Sequence, residues 1–200
     1  AFIHAEEAYT STAASPFSDA MAEKAMELIG ENIRRFVANR TDVEAAEAMM
    51  VGSLFAGIAF SFARLGNVHA MSHPVSAFFD VPHGVANAVL LPVVAEYNAL
   101  ADHGRYYKIY NYISEIPAYE DEFEPMMLVD AIRSLCKAIG IPANLTEAIN
   151  RAGKTGSISR ETIEEKIEAM AADAMKSGNI AVNPRSSRQC DIEMLYRKAL

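Results

Sequence analysis

Apolar residues recur along this chain at helical spacing from end to end, and the strict alternation of a half-buried strand is nearly absent. Residues Ala1–Tyr9 read as a first helix. Ser15-Pro16 is expected to break the chain, with Ser18 or Asp19 capping a second helix to about Asn39. Its apolar positions Met21, Ala25, Leu28, Ile29, Ile33 and Phe36 form one stripe. Thr41 or Asp42 caps a third helix, Val43 to Ala63, in which Gly52, Ala56 and Gly57 are expected to allow close helix approach. Asn67–Phe79 is a fourth, with Pro74 limiting its regularity. After the turn Asp80–Gly84 a strongly apolar helix runs from Val85 to Asn98, and a Tyr-rich one from Arg105 to Ser114.

Residues Glu115–Pro125 are acidic and Pro-bearing, which predicts a surface loop. Helices are predicted at Met126–Ile139, closed by Gly140; at Leu145–Arg151; from Ser159 or Arg160 to Met175; and, capped by Asp191, to Leu200. The expected fold is all-α, a bundle-like single domain over residues 1–200 with eight to ten helices. They should pack around the two most apolar segments, Val43–Ala63 and Val85–Asn98.

Composition adds exclusions. A net charge of −8 without a Lys/Arg cluster argues against a nucleic-acid partner. The longest uncharged stretch, Ala48 to Ala63, is rich in Gly and Ala and suits a buried helix better than a membrane span. No signal peptide pattern is present, and Cys136 and Cys190 form no CxxC pair, so a cytoplasmic protein with reduced thiols is expected. The chain opens on helical composition with no capping residue. Two readings fit: a disordered or trimmed terminus, or a helix entered in its first turn with a further domain upstream.

Candidate chemistry lies in the histidines. His69 and His73 are four apart and share a helix face, the spacing with which two imidazoles can bind one metal. His83 follows in a Pro-His-Gly turn, and the surroundings are mostly small or apolar. Buried imidazoles need polar partners. A shared metal would satisfy them, and so would separate hydrogen bonds to backbone. His4 lies on the first helix one turn before Glu7, and His103 sits among polar residues as an exposed side chain.

The stretch from Gly66-Asn67-Val68-His69-Ala70-Met71-Ser72-His73-Pro74 through Val81-Pro82-His83-Gly84-Val85-Ala86-Asn87 to Glu96-Tyr97-Asn98 closely resembles the signature of the iron-containing (group III) alcohol dehydrogenases. His4-Ala5-Glu6-Glu7-Ala8-Tyr9 resembles a second signature of that family, and Asn183-Pro184-Arg185 its C-terminus. The resemblance implies the family's helical C-terminal domain. It implies a divalent metal, Fe²⁺ or Zn²⁺, on His4, His69 and His83, with the family's aspartate ligand matching the position before Ala1. It places His73 outside the ligand set, as a catalytic residue near the nicotinamide and substrate, suited to move a proton or orient the cofactor. Glu7 and Asn87 match family positions of supporting or structural character. The ion would act as a Lewis acid while hydride passes between an alcohol or aldehyde and NAD or NADP. No Gly-x-Gly-x-x-Gly turn occurs in the chain, so by itself it is expected to be inactive. The parent is expected to be a homo-oligomer acting on a small alcohol or aldehyde. A glycerol-dehydrogenase-like enzyme is the neighbouring reading, and a non-catalytic helical metal-binding or scaffold protein the alternative of another class.

Overall fold

The computed structural model describes residues 1–153 and 157–200. Among them there are eleven α-helices and three short 3₁₀ turns, and no strand. The all-α expectation holds, with one helix more than the upper count.

Three helices form the first layer: α1 (Phe2–Thr10), α2 (Pro16–Ala38) and α3 (Val43–Ala63). Ser15 caps α2, not Ser18 or Asp19. Its side chain accepts the Ser18 N–H, Ser18 answers on the Ser15 N–H, and Pro16 takes the first helical position. The proline starts the helix instead of breaking the chain because a first-turn residue needs no N–H. Asp42 caps α3 by accepting the Ala45 N–H at 3.0 Å.

α3 corrects the expectation of two central apolar helices. Its buried residues are small: Ala45, Gly52, Ala56, Ala59 and Ala63. Its large side chains face outward, with Val43 76%, Met50 74%, Leu54 62% and Phe62 64% exposed. Small residues let backbones approach, so α3 is sorted by side-chain size and not by polarity, a division that a pattern of apolar positions cannot display. Gly52 does serve close approach, for a Cβ there would lie 2.7 Å from Ile29 Cγ1. Gly57, expected to do the same, has nothing within 4 Å. By length and composition α3 and residues 83–101 are each apolar enough to cross a bilayer, but the second is packed inside the fold.

The true centre is α5 (His83–Asn98), which packs on α4 (Asn67–Phe79), α7 (Pro125–Ala138), α8 (Leu145–Ala152) and α11 (Gln189–Ala199). Ala86, Val89, Leu90, Leu91, Val94 and Ala95 of α5 are buried there. Between α5 and α7, α6 (Arg105–Ile113) bridges α2 to α7. The single helix expected up to Met175 is two, α9 (Arg160–Glu164) and α10 (Ile167–Met175). A Lys166 N–H to Ile163 carbonyl bond tightens the chain between them, and Ile163 and Ile167 are both buried. α11 begins before Asp191. That residue sits in its first turn and its carboxylate accepts the Arg188 N–H at 2.9 Å.

α4 and α5 are joined by only Asp80, Val81 and Pro82, with Asp80 in the left-handed region at φ 54°. This short reversal folds α5 back along α4 and brings their histidines together.

Candidate metal centre

α4 enters the site with no capping side chain of its own, since its N-cap is Gly66. The free N–H groups are met from elsewhere: Asn67 N–H donates to Asn183 Oδ1 at 3.0 Å, and Val68 N–H to Glu7 Oε1 at 2.6 Å. Tyr196 of α11 donates to the Met71 carbonyl at 2.6 Å, tying the middle of α4 to the core. His69 therefore projects from a helix held at its start and along its length. His83 is the first residue of α5, and Asn87 follows one turn later on the same face.

Three imidazoles converge. Nitrogen atoms of His4, His69 and His83 all lie within 4.8 Å of one another. The His4 and His69 rings stack at 4.5 Å, and His69 and His83 are 5.2 Å apart. His73 stands beside this trio, its ring stacked on His83 at 5.2 Å and 6.4 Å from His69. The structure thus groups His69 with the two distant histidines, and the i,i+4 partner suggested by spacing lies outside the cluster. Only His69 is fully buried; His4 is half-buried, while His73 and His83 are exposed. His103 is exposed, as expected, and is not one of the clustered histidines.

The polar surroundings suit neutral imidazoles. Burial, reinforced by His69, pushes His4 down to about 3. Burial and then His69 also lower His73, and burial, His69 and His73 lower His83. All three are therefore uncharged at neutral pH, the form whose lone pair binds a metal. Glu7 Oε2 meets His69 Nδ1 at 2.5 Å, so the nitrogen left to face the cluster is Nε2. The Asn87 amide nitrogen lies 3.1 Å from Nε2 of both His69 and His83, while its oxygen is buried without a partner. Three neutral nitrogen donors gathered in one cluster are the donor type that a borderline divalent ion such as Fe²⁺ or Zn²⁺ takes.

Comparison with known proteins places the chain in a family. The model of the Fe-containing alcohol dehydrogenase family, C-terminal, matches residues 1–200. The chain belongs to the iron-containing alcohol dehydrogenase family. Its relatives in that family include the 1,3-propanediol dehydrogenase of Citrobacter freundii, 38% identical over 200 residues, covering 100% of this chain and 49% of that protein. The NADPH-dependent butanol dehydrogenase of Clostridium saccharobutylicum is 33% identical, covering 98% and 48%. A crystal structure of 1,3-propanediol oxidoreductase superposes with a TM-score of 0.87 at 38% identity, covering 100% of this chain and 49% of that one. The chain spans about half the length of these relatives.

Two contributors went unread in the sequence. Phe60 of α3 stacks on the outer side of His4 at 4.8 Å. Asn183 reaches α4 from a turn more than a hundred residues away. Neither carries a local signal. The Asn-Pro turn pattern marks Asn183 as a turn residue but not as a cap for another helix.

Proposed function

We propose that residues 1–200 form the metal-binding helical domain of an NAD(P)-dependent alcohol dehydrogenase, which passes hydride between a primary alcohol or diol and the corresponding aldehyde. The observation that carries this reading is the convergence of His4, His69 and His83, drawn from three helices, with His73 next to them. The three would hold Fe²⁺ or Zn²⁺, which when bound supplies Lewis acidity to an alcohol or aldehyde oxygen. His73 is exposed and neutral at working pH, so a ring nitrogen can take up or return the hydroxyl proton, or orient the nicotinamide. Phe60 closes one side of His4 with an apolar ring and limits water there.

Nothing in these residues resembles a dinucleotide-binding turn, so the proposed nucleotide site lies in the half of the relatives that this chain does not span. The activities by which the relatives are named, on propanediol and on butanol with NADPH, support the substrate and cofactor class proposed here. Within the same proposal the parent is a cytoplasmic homo-oligomer that works without nucleic acid or membrane. The net charge of −8 and two free cysteines of residues 1–200 fit that setting, and sedimentation velocity tests the assembly.

The decisive experiment is metal analysis beside steady-state kinetics on the full-length parent. His69→Ala and His83→Ala should each lose the ion and alcohol-dependent NAD(P)H formation together. His73→Ala should slow turnover and keep the metal. If His73→Ala lost the ion and His83→Ala retained it, the ligand set would be the i,i+4 pair instead. A parent that bound the ion but never reduced NAD(P)⁺ with any primary alcohol or diol would favour the alternative of a non-catalytic metal-binding protein.

A further inference from the structure

Glu7 is a carboxylate on α1 that is almost completely buried, and it has no lysine or arginine partner among the described residues. Each of its oxygens is committed. Oε1 accepts the backbone N–H of Val68 at 2.6 Å, and Oε2 meets His69 Nδ1 at 2.5 Å. The space for it is cut close: a Cβ on residue 66 would lie 2.8 Å from Asn183 Oδ1 and 3.0 Å from Glu7 Oε1, so a side chain there would press on both groups that meet this helix end. The first N–H groups of a helix are unpaired donors at the positive end of its dipole, and a carboxylate satisfies both conditions.

A backbone N–H can only donate, so the role of Oε1 is fixed by the fold. The helix-start N–H and dipole favour a carboxylate at this position, and a carboxylate offers acceptors alone, which places the proton between Oε2 and His69 on Nδ1. The opposite edge of the ring is compatible with this. The Asn87 amide nitrogen is 3.1 Å from His69 Nε2, and an amide N–H needs a bare nitrogen to donate to. We propose that Glu7 is a positioning residue: clamped by the start of α4, it holds His69 as the Nδ1–H tautomer and turns the Nε2 lone pair into the cluster with His4 and His83. The inference rests on reading those histidines as a metal site.

The clamp makes Glu7→Gln an informative change. The glutamine has the same size, and its single oxygen is claimed by the Val68 N–H, because an amide NH₂ cannot face a donor. The NH₂ is then left against His69 Nδ1. It can be satisfied only by donating to that nitrogen, which moves the ring proton to Nε2 and blocks the lone pair. The helix cap survives while the tautomer inverts. A residue that only capped α4 would show no such effect.

The test uses the full-length parent, made metal-free and labelled with ¹⁵N-histidine, with Zn²⁺ as the probe. The His69 signal is assigned by its absence in His69→Ala, and its tautomer is read from the ¹⁵N shifts and two-bond couplings. Wild-type protein should show Nδ1–H. Glu7→Gln should show Nε2–H, an unchanged unfolding midpoint without metal, and Zn²⁺ affinity lowered by about 10–100-fold against a competing chelator. An Nε2–H tautomer in the wild type overturns the proposal without any variant, so it can be judged even if Glu7→Gln does not fold. So does a folded Glu7→Gln that holds Zn²⁺ as tightly as wild type. Retention of Zn²⁺ by His69→Ala and His83→Ala would instead overturn the metal-site reading, whatever Glu7 does.

Discussion

Adding one methyl group at either of two helical glycines should move stability in opposite directions. Gly30 lies in α2 against the last turn of α6, and a Cβ there would sit 2.0 Å from the Tyr112 carbonyl oxygen and 2.9 Å from its carbon. That is about 1 Å short of the 3.0 Å that Cβ atoms respect. The obstacle is backbone and cannot rotate away, so α2 and α6 must separate, loosening the Arg34 bond to the Ile113 carbonyl beside it, now 3.1 Å. Overpacking of this kind costs up to about 3 kcal/mol, while replacing a helical glycine by alanine returns up to about 1 kcal/mol. Gly30→Ala should therefore destabilise the protein by about 2 kcal/mol. Gly57 in α3 has nothing within 4 Å of a Cβ, so only the propensity gain operates and Gly57→Ala should stabilise by about 0.5–1 kcal/mol. Urea unfolding followed by far-UV circular dichroism measures both. In thermal melts the two variants should separate by roughly 5–12 °C, at about 2–4 °C per kcal/mol for a domain of this size. Wild-type stability in Gly30→Ala would refute the close α2–α6 approach described here.

Two further outcomes follow from side-chain environment. Burial pushes the Cys136 thiol up to about 11, whereas Cys190 is exposed on α11. At pH 8 only about one Cys136 in a thousand is thiolate, so iodoacetamide should label Cys190 and spare Cys136 until the chain unfolds. Peptide mapping that found equal rates would contradict the burial of Cys136. Glu96 on α5 ties α11 and α7 through Lys198 and Arg133, and the Lys198 ammonium foremost holds its carboxyl below the usual carboxylate range. A depressed carboxyl contributes stability above its unfolded value near 4.3 and loses it as pH falls through the folded one. Glu96→Gln should accordingly flatten the decline in melting temperature between about pH 5 and pH 3, and parallel curves for the two proteins would exclude that linkage.

Local chemistry carried much of the fold in the sequence. The bounds of α3 and α4 follow from Asp42, Leu65-Gly66 and Asp80, because caps and breakers act within one turn. The histidines were legible as candidates because few residue types can ligate a metal and four of the five stand in helices of small and apolar residues. Period and spacing, however, describe one element at a time. They suggested that His69 and His73 share an ion, and the convergence of His69 with His83 depends on the three-residue reversal that lays α5 back on α4. The same limit hid the outward face of α3, since an all-apolar helix does not announce which side its neighbours will take. It hid the break between α9 and α10, where the Lys166 N–H turns back onto the Ile163 carbonyl. Glu7 shows the division most clearly. Its motif marks it as a helical glutamate of supporting character, and only the packing of α1 against the start of α4 brings both of its oxygens onto donors sixty-one and sixty-two residues away.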